Sequence, residues 1–261
     1  MTVTTRLIIR LTCLSLLIIS TTLAQPRGVP LQANPDTVAL APRDILTRLD
    51  DDDWSVRDTA TRELLTNPRI DPQRLHELMT QATTPEQKHR LIEVAHHHFV
   101  QRLIRENFAW EGEGSIGIIQ REAPSIEIDG QPRAGISVIR TLPGLPGHER
   151  LREGDLVVQL AGEWFEEGST MEDFQAHTRS QPPGSILSLT VLRDGQTLSL
   201  TIETAPLEAL RATYEGPNFG LTEGPLLLWH AERQRLTGDT IPLNQAADPA
   251  ITLEPLNSSS L

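Results

Sequence analysis

The sequence predicts an α+β chain of more than one domain. α-Helical hairpins run from residue 42 to 108, and a small, partly open β-barrel with two helices follows over 112–206. Three observations predict this. Up to about Asn107, apolar residues recur at helical spacing behind prolines and capping residues that suit helix starts. From about Gly114 to Ala205 the period drops to two. Asp194-Gly195, the favoured two-residue hairpin turn, joins the last two alternating runs.

The elements follow in chain order. Met1 to Ala24 has no acidic residue. Arg6 and Arg10 precede the apolar stretch Leu11 to Ser20, and small residues end at Ala24. This layout predicts a secretory signal over 1–24, cleaved after Ala24. The alternative is an uncleaved anchor in the inner membrane, since Leu7 to Ala24 just reaches the ~18 residues a span requires. Cleavage removes two arginines and no acid, which takes the net charge from -12 to -14. It also removes Cys13, the one cysteine, and an exported chain without disulfides suits a periplasmic or secreted protein. Residues 25–41 hold Pro26, Gly28, Pro30 and Pro35 and read as a flexible leader.

In the helical region, Pro42, Pro72 and Pro85 sit at first-turn positions. Asp71 is an N-cap, Thr84-Pro85-Glu86-Gln87 is a capping box, and Ser55 and Asp58 share that spacing. Val56, Ala60 and Leu64 form one apolar stripe; Ile92, Ala95, Phe99 and Leu103 form another. Helices are expected over Ile45–Asp50, Trp54–Thr66, Gln73–Ala82 and Glu86–Glu106. The run from Leu49 through Asp50-Asp51-Asp52-Asp53-Trp54-Ser55-Val56-Arg57 to Leu65 resembles a HEAT-type repeat, with its acidic turn, Val-Arg and buried Ala. Two such hairpins are too few to stand alone, so they are expected to pack against something else.

In the second region Ile116 and Ile118 alternate, as do Ile126 and Ile128; Leu187, Leu189 and Val191; and Leu198, Leu200 and Ile202. A strand covers Gly135–Arg140. A short helix or turn is expected over Gly144–Leu151 and a better helix over Ser169–Ser180. The C-terminal extension, 207–261, adds a short helix at Leu207–Thr213 and an apolar run Leu226 to Trp229. Its end, from Ile241, is punctuated by Pro, Asn and Ser and is expected to be disordered.

Five segments carry a second resemblance. They are Ser115-Ile116-Gly117-Ile118; Pro143-Gly144-Leu145-Pro146-Gly147; Leu151-Arg152-Glu153-Gly154-Asp155-Leu156-Val157-Val158; Asp173-Phe174 with Pro183-Gly184-Ser185; and Leu189 to Gly195. In order and spacing they resemble a PDZ domain of the bacterial kind found in HtrA-type proteases, here without the protease domain. The resemblance implies strand addition, in which an extended peptide pairs with an exposed sheet edge. Ser115, Ile116, Gly117 and Ile118 would be the loop and strand. Met171, Phe174 and Thr178, on one face of the second helix, would complete an apolar socket, or else serve as barrel core. Glu111 and Glu113, just before the loop, argue against capture of a free carboxylate and for an internal strand or a cationic peptide.

No catalytic constellation emerges. There is no Gly-Asn-Ser-Gly-Gly or Gly-x-Ser-x-Gly nucleophile motif, and His76-Glu77-Leu78-Met79-Thr80 lacks the second histidine of a zinc-protease helix. His89, Glu93 and His96 or His97 share a helix face and are the best metal candidates, against the simpler reading of a solvated face. No cofactor is implied. The charge of -12 argues against nucleic acid and an anionic membrane surface as partners. The sequence therefore predicts a non-enzymatic, exported peptide- or protein-binding module that acts as a scaffold or adaptor in the cell envelope. Its partner would be an extended segment or C-terminus of another envelope protein. The alternatives are an accessory subunit of an envelope protease and, behind it, a metal-dependent enzyme.

Overall fold

The structure, a computed structural model, describes residues 42–128, 130–166, 168–216 and 219–238. The expected signal peptide, leader and tail from Ile241 lie outside the described residues. α1 (Pro42–Leu49) packs on α2 (Trp54–Leu65), and α3 (Pro72–Gln81) on α4 (Pro85–Asn107). Local chemistry sets the starts. Asp53 accepts the Ser55 N–H at 2.8 Å, and Asp71 accepts the Arg74 N–H at 2.7 Å. Thr84 and Gln87 exchange both bonds of the capping box. The Gln87 amide also donates to the Leu46 carbonyl at 3.0 Å, which ties the start of α4 to α1. The Ser55–Asp58 spacing is not used as a cap. Asp58 instead accepts from Arg62 Nε at 3.1 Å.

α4 buries more than the one stripe its periodicity predicts. Leu91, Val94, Val100 and Ile104 are buried with Ala95 and Phe99. The reason is that α1, α2, α3 and a late helix, α8 (Glu223–Thr237), surround it. Trp229 of α8 lies over the His96 ring at 4.7 Å and against Phe99 at 5.6 Å. Burial of such side chains contributes roughly 1.5–3 kcal/mol each. The C-terminal extension thus supplies part of the packing that the helical hairpins need.

The second half is an antiparallel sheet. It contains β2 (Ile118–Ile128), β3 (Gln131–Thr141), β4 (Leu156–Leu160), β6 (Ile186–Arg193) and β7 (Gln196–Glu203) in spatial order β2-β3-β4-β6-β7, with β5 (Glu163–Trp164) beside β4. A separate pair joins β1 (Gly114–Ser115) to β8 (Ala205–Pro206). Asp194 and Gly195 turn between β6 and β7 with φ of 51° and 76°, the left-handed pair that a tight hairpin requires. Among the described residues the sheet does not close on itself, so the mixed helix-and-sheet class is seen without a closed barrel. Ile136, Val138, Val157, Leu189 and Val191 form its core with Phe174 of α6 (Met171–Ser180). α7 (Leu207–Thr213) and the small pair β9 (Tyr214–Glu215) and β10 (Gly220–Leu221) link β8 to α8. No helix among the described residues is long and apolar enough to cross a membrane.

Helices and sheet meet at the loop after β3, which leads into the short helix α5 (Pro146–Arg150). Leu142 and Leu145 from this loop enter the helical core. Gly144 has a φ of +78°, and a Cβ there would lie 2.4 Å from Val100. Its N–H donates to Nδ1 of the fully buried His97 at 2.9 Å. Tyr214 donates to the Pro143 carbonyl at 2.5 Å. Arg62 donates to the Glu149 carbonyl at 3.3 Å, and Arg152 pairs with Asp58.

Candidate functional site

A groove of about 320 Å³ runs between the start of β2 and α6. The seven residues singled out in the sequence all line it: Ser115, Ile116, Gly117, Ile118, Met171, Phe174 and Thr178. Their exposures differ. Ile116, Phe174 and Thr178 are buried, at 2%, 2% and 5%, so they form the floor, and Ile116 and Phe174 belong to the sheet core. Ile118 and Met171 are half-buried and border the opening. The expected choice between socket and core resolves by depth, with one set of side chains filling the core and the other reaching the surface.

The loop before β2 is held from below. Ser115 pairs with Ala205 of β8, so the unpaired edge starts beyond this pair. It begins at Ile118. From there the outer side of β2 pairs with no strand among the described residues. The Gly147 N–H donates to the Ile116 carbonyl at 2.7 Å, and the Leu142 N–H to the Gly117 carbonyl at 2.9 Å. The Gly117 N–H donates to Ser115 Oγ at 3.2 Å. Gly117 has a φ of +72°, and a Cβ there would stand 2.2 Å from that of Leu145. Here the glycine is needed for a left-handed turn and for close approach to Leu145.

α6 forms the other wall. Thr170 and Asp173 complete a capping box at its start, and the hydrogen bonds from Thr170 hold the Asp173 carboxyl below its ordinary range. Glu122 of β2 accepts the Met171 N–H at 3.0 Å and ties the start of α6 to the strand. At the loop end α6 packs against β1, and α7 adds Leu207, Leu210 and Arg211, with Phe219 beside them. These residues and Arg179 escaped the sequence reading. The helix at Leu207–Thr213 was legible, but nothing in its spacing places it beside residue 115; the β1–β8 pairing does.

The metal candidates do not converge. His96 lies on Trp229, while His97 points to Gly144 with its Nε2 3.3 Å from Glu149. Glu93 lines a polar cavity with Arg62 and Arg90, and burial pushes its carboxyl up. His89 is exposed. Among the described residues no group of three or more metal-ligating side chains is placed to hold an ion. The buried chemistry is structural. Burial, and then the neighbouring His97 and Arg62, push the His148 imidazole well below its ordinary range. Burial raises Glu149, but His97, Arg150 and Gln101 together outweigh it and bring the carboxyl below its usual range.

No family model matches the chain, and no curated protein matches it. Among solved structures it is similar to a serine endoprotease from Yersinia pestis, at 20% identity and a TM-score of 0.30, over 42% of this chain and 34% of that one. It is also similar to the HtrA-type protease AlgW with a tripeptide, at 23% identity and a TM-score of 0.30, over 36% and 31%, and to AlgW with a decapeptide, at 22% and 0.29, over 41% and 33%. The chain therefore spans about a third of the length of the proteins it matches.

Proposed function

We propose that residues 112–206 act as a PDZ-type module that adds an extended segment of another envelope protein to the outer edge of β2, beside α6. The single observation that supports this is the convergence of the seven sequence-selected residues on one groove whose wall is an unpaired strand edge. An incoming segment would gain main-chain hydrogen bonds worth about 1 kcal/mol each and bury one or two apolar side chains against Ile118 and Met171. Together these give an affinity of roughly micromolar order. The chain would bring no chemistry of its own and would act as an exported adaptor, with the helical region as the body that holds the module.

Fluorescence anisotropy with extended apolar peptides tests this. Wild type is expected to bind, and Ile118→Asp to weaken binding by about tenfold or more, because it places a charge at the apolar opening. Urea unfolding confirms that the variant is folded. Gly117→Trp is unsuitable, since any side chain there meets Leu145. Equal binding by wild type and Ile118→Asp would show that this edge is not the working surface.

A further inference from the structure

We propose that the groove recognises an internal extended segment carrying an acidic side chain beside its apolar anchor, and that Arg179 of α6 and Arg211 of α7 read that acid. This rests on the strand-addition reading above and names the chemistry of the segment. From Glu111 and Glu113, which precede the loop, the sequence left open an internal strand, a cationic peptide or no ligand at all. Neither glutamate lines the groove. Among the described residues, its charged lining consists of Arg179 and Arg211.

Both arginines stand at the loop end. The C-terminal turn of α6 lies against β1, where a Cβ on Gly114 would meet the Gln181 and Thr178 carbonyls. α7 starts directly after β8, the partner of β1, and the Leu207 N–H bonds the Glu113 carbonyl at 2.8 Å. Neither arginine has an ion-pair partner among the described residues. Arg179 donates to the Gln175 amide oxygen at 3.0 Å. In the helices and at their junction with the sheet, by contrast, Arg48, Arg62, Arg90, Arg152 and Arg193 pair with carboxylates. Two exposed, uncompensated guanidinium groups at an apolar groove, on a chain of net charge -12, are a complementary surface for a carboxylate. Glu122, which accepts the Met171 N–H, does not line the groove, so the charge that a ligand meets in it is the arginines'.

The carboxylate is a side chain's and not a chain end's. A chain end would need backbone N–H groups of the loop, and the Gly117 N–H is already bonded to Ser115 Oγ. Guanidinium groups on α6 and α7 reach a side-chain carboxylate without them.

The test uses amidated octapeptides of alternating Val or Leu and Thr, with one Glu placed at each position in turn, their Gln counterparts, and the same Gln peptides with a free C-terminal carboxylate. Binding to the full chain is followed by anisotropy. At its best position Glu is expected to bind about fivefold to tenfold tighter than Gln at low salt, and the ratio should shrink as ionic strength rises toward about 0.5 M. Arg179→Gln with Arg211→Gln should bring the ratio close to one. If Glu and Gln peptides bind alike, or the ratio survives in the double variant, the inference fails while strand addition stands. If only peptides with a free C-terminal carboxylate bind, the chain end is the ligand and the inference fails. If no peptide binds wild type, the inference and the strand-addition reading fall together.

Discussion

The sheet has two very different borders. Toward the helices, at the loop after β3, the main polar groups have internal partners. The Gly144 N–H meets His97, Glu149 accepts from Gln101 at 2.9 Å, and buried Asp155 accepts from Arg193 Nε and Nη2 at 2.7 Å and from the Arg152 N–H at 2.8 Å. Toward α6 the outer edge of β2 has no partner strand among the described residues, and two arginines without an ion-pair partner among them line the opening. The difference teaches how one small fold separates holding from binding. A border whose donors and acceptors are mostly matched internally, as here apart from the buried His148 Nε2 and Arg152 Nε, is the more rigid one and gains little from a guest. A border left unmatched costs little while water solvates it and remains available to a partner. The two borders also touch, because Leu145 and Gly147 of the rigid one form the underside of the binding loop.

Three measurements sharpen this contrast. The largest effect is expected at the rigid border. Gly144→Ala places a Cβ 2.4 Å from Val100 in a left-handed conformation, and should lower the urea unfolding free energy by about 3 kcal/mol. An effect under about 0.5 kcal/mol would mean that the contact yields freely.

The next effect is in pH. The folded His148 imidazole is depressed below its ordinary value, so the unfolded chain takes up the proton first. The associated stability is intact above the unfolded pKa, near 6.5, and is lost as pH falls through it toward the folded value. The slope should approach about 1.4 kcal/mol per pH unit, with His98, also depressed chiefly by burial, adding a smaller part. His148→Asn should flatten the slope, and an unchanged slope would place the titration elsewhere.

The smallest effect is expected at the open border. Glu122→Ala removes an exposed bond to the start of α6 and should change stability by less than about 0.5 kcal/mol. A change as large as that of Gly144→Ala would make the groove as rigid as the junction and erase the distinction.

Much of the local structure was legible because its causes are local. The capping residues Asp71 and Thr84 mark the starts of α3 and α4, the Asp194-Gly195 turn joins β6 and β7, and Leu207–Thr213 is a helix as the pattern predicts. The α4 stripe was read too narrowly, since periodicity shows one apolar face and not how many neighbours a helix will have. The groove was legible in its floor and loop and missing in its third wall. Residues 115–118 and 171–178 carry a recognisable pattern, whereas Arg211 and Phe219 reach the groove only through chain reversal at β8.

The sequence by itself determined the helix starts, the hairpin turn, the change of period and the residues able to form a groove, because these follow from backbone chemistry within a few positions. The tertiary structure alone decided that β1 is paired while β2 is left open. It alone brought α7 to the mouth of the groove and the two arginines together there. A free edge is defined by what fails to lie next to it, and a shared wall by residues far apart in the chain. Neither property is written in any local run of residues.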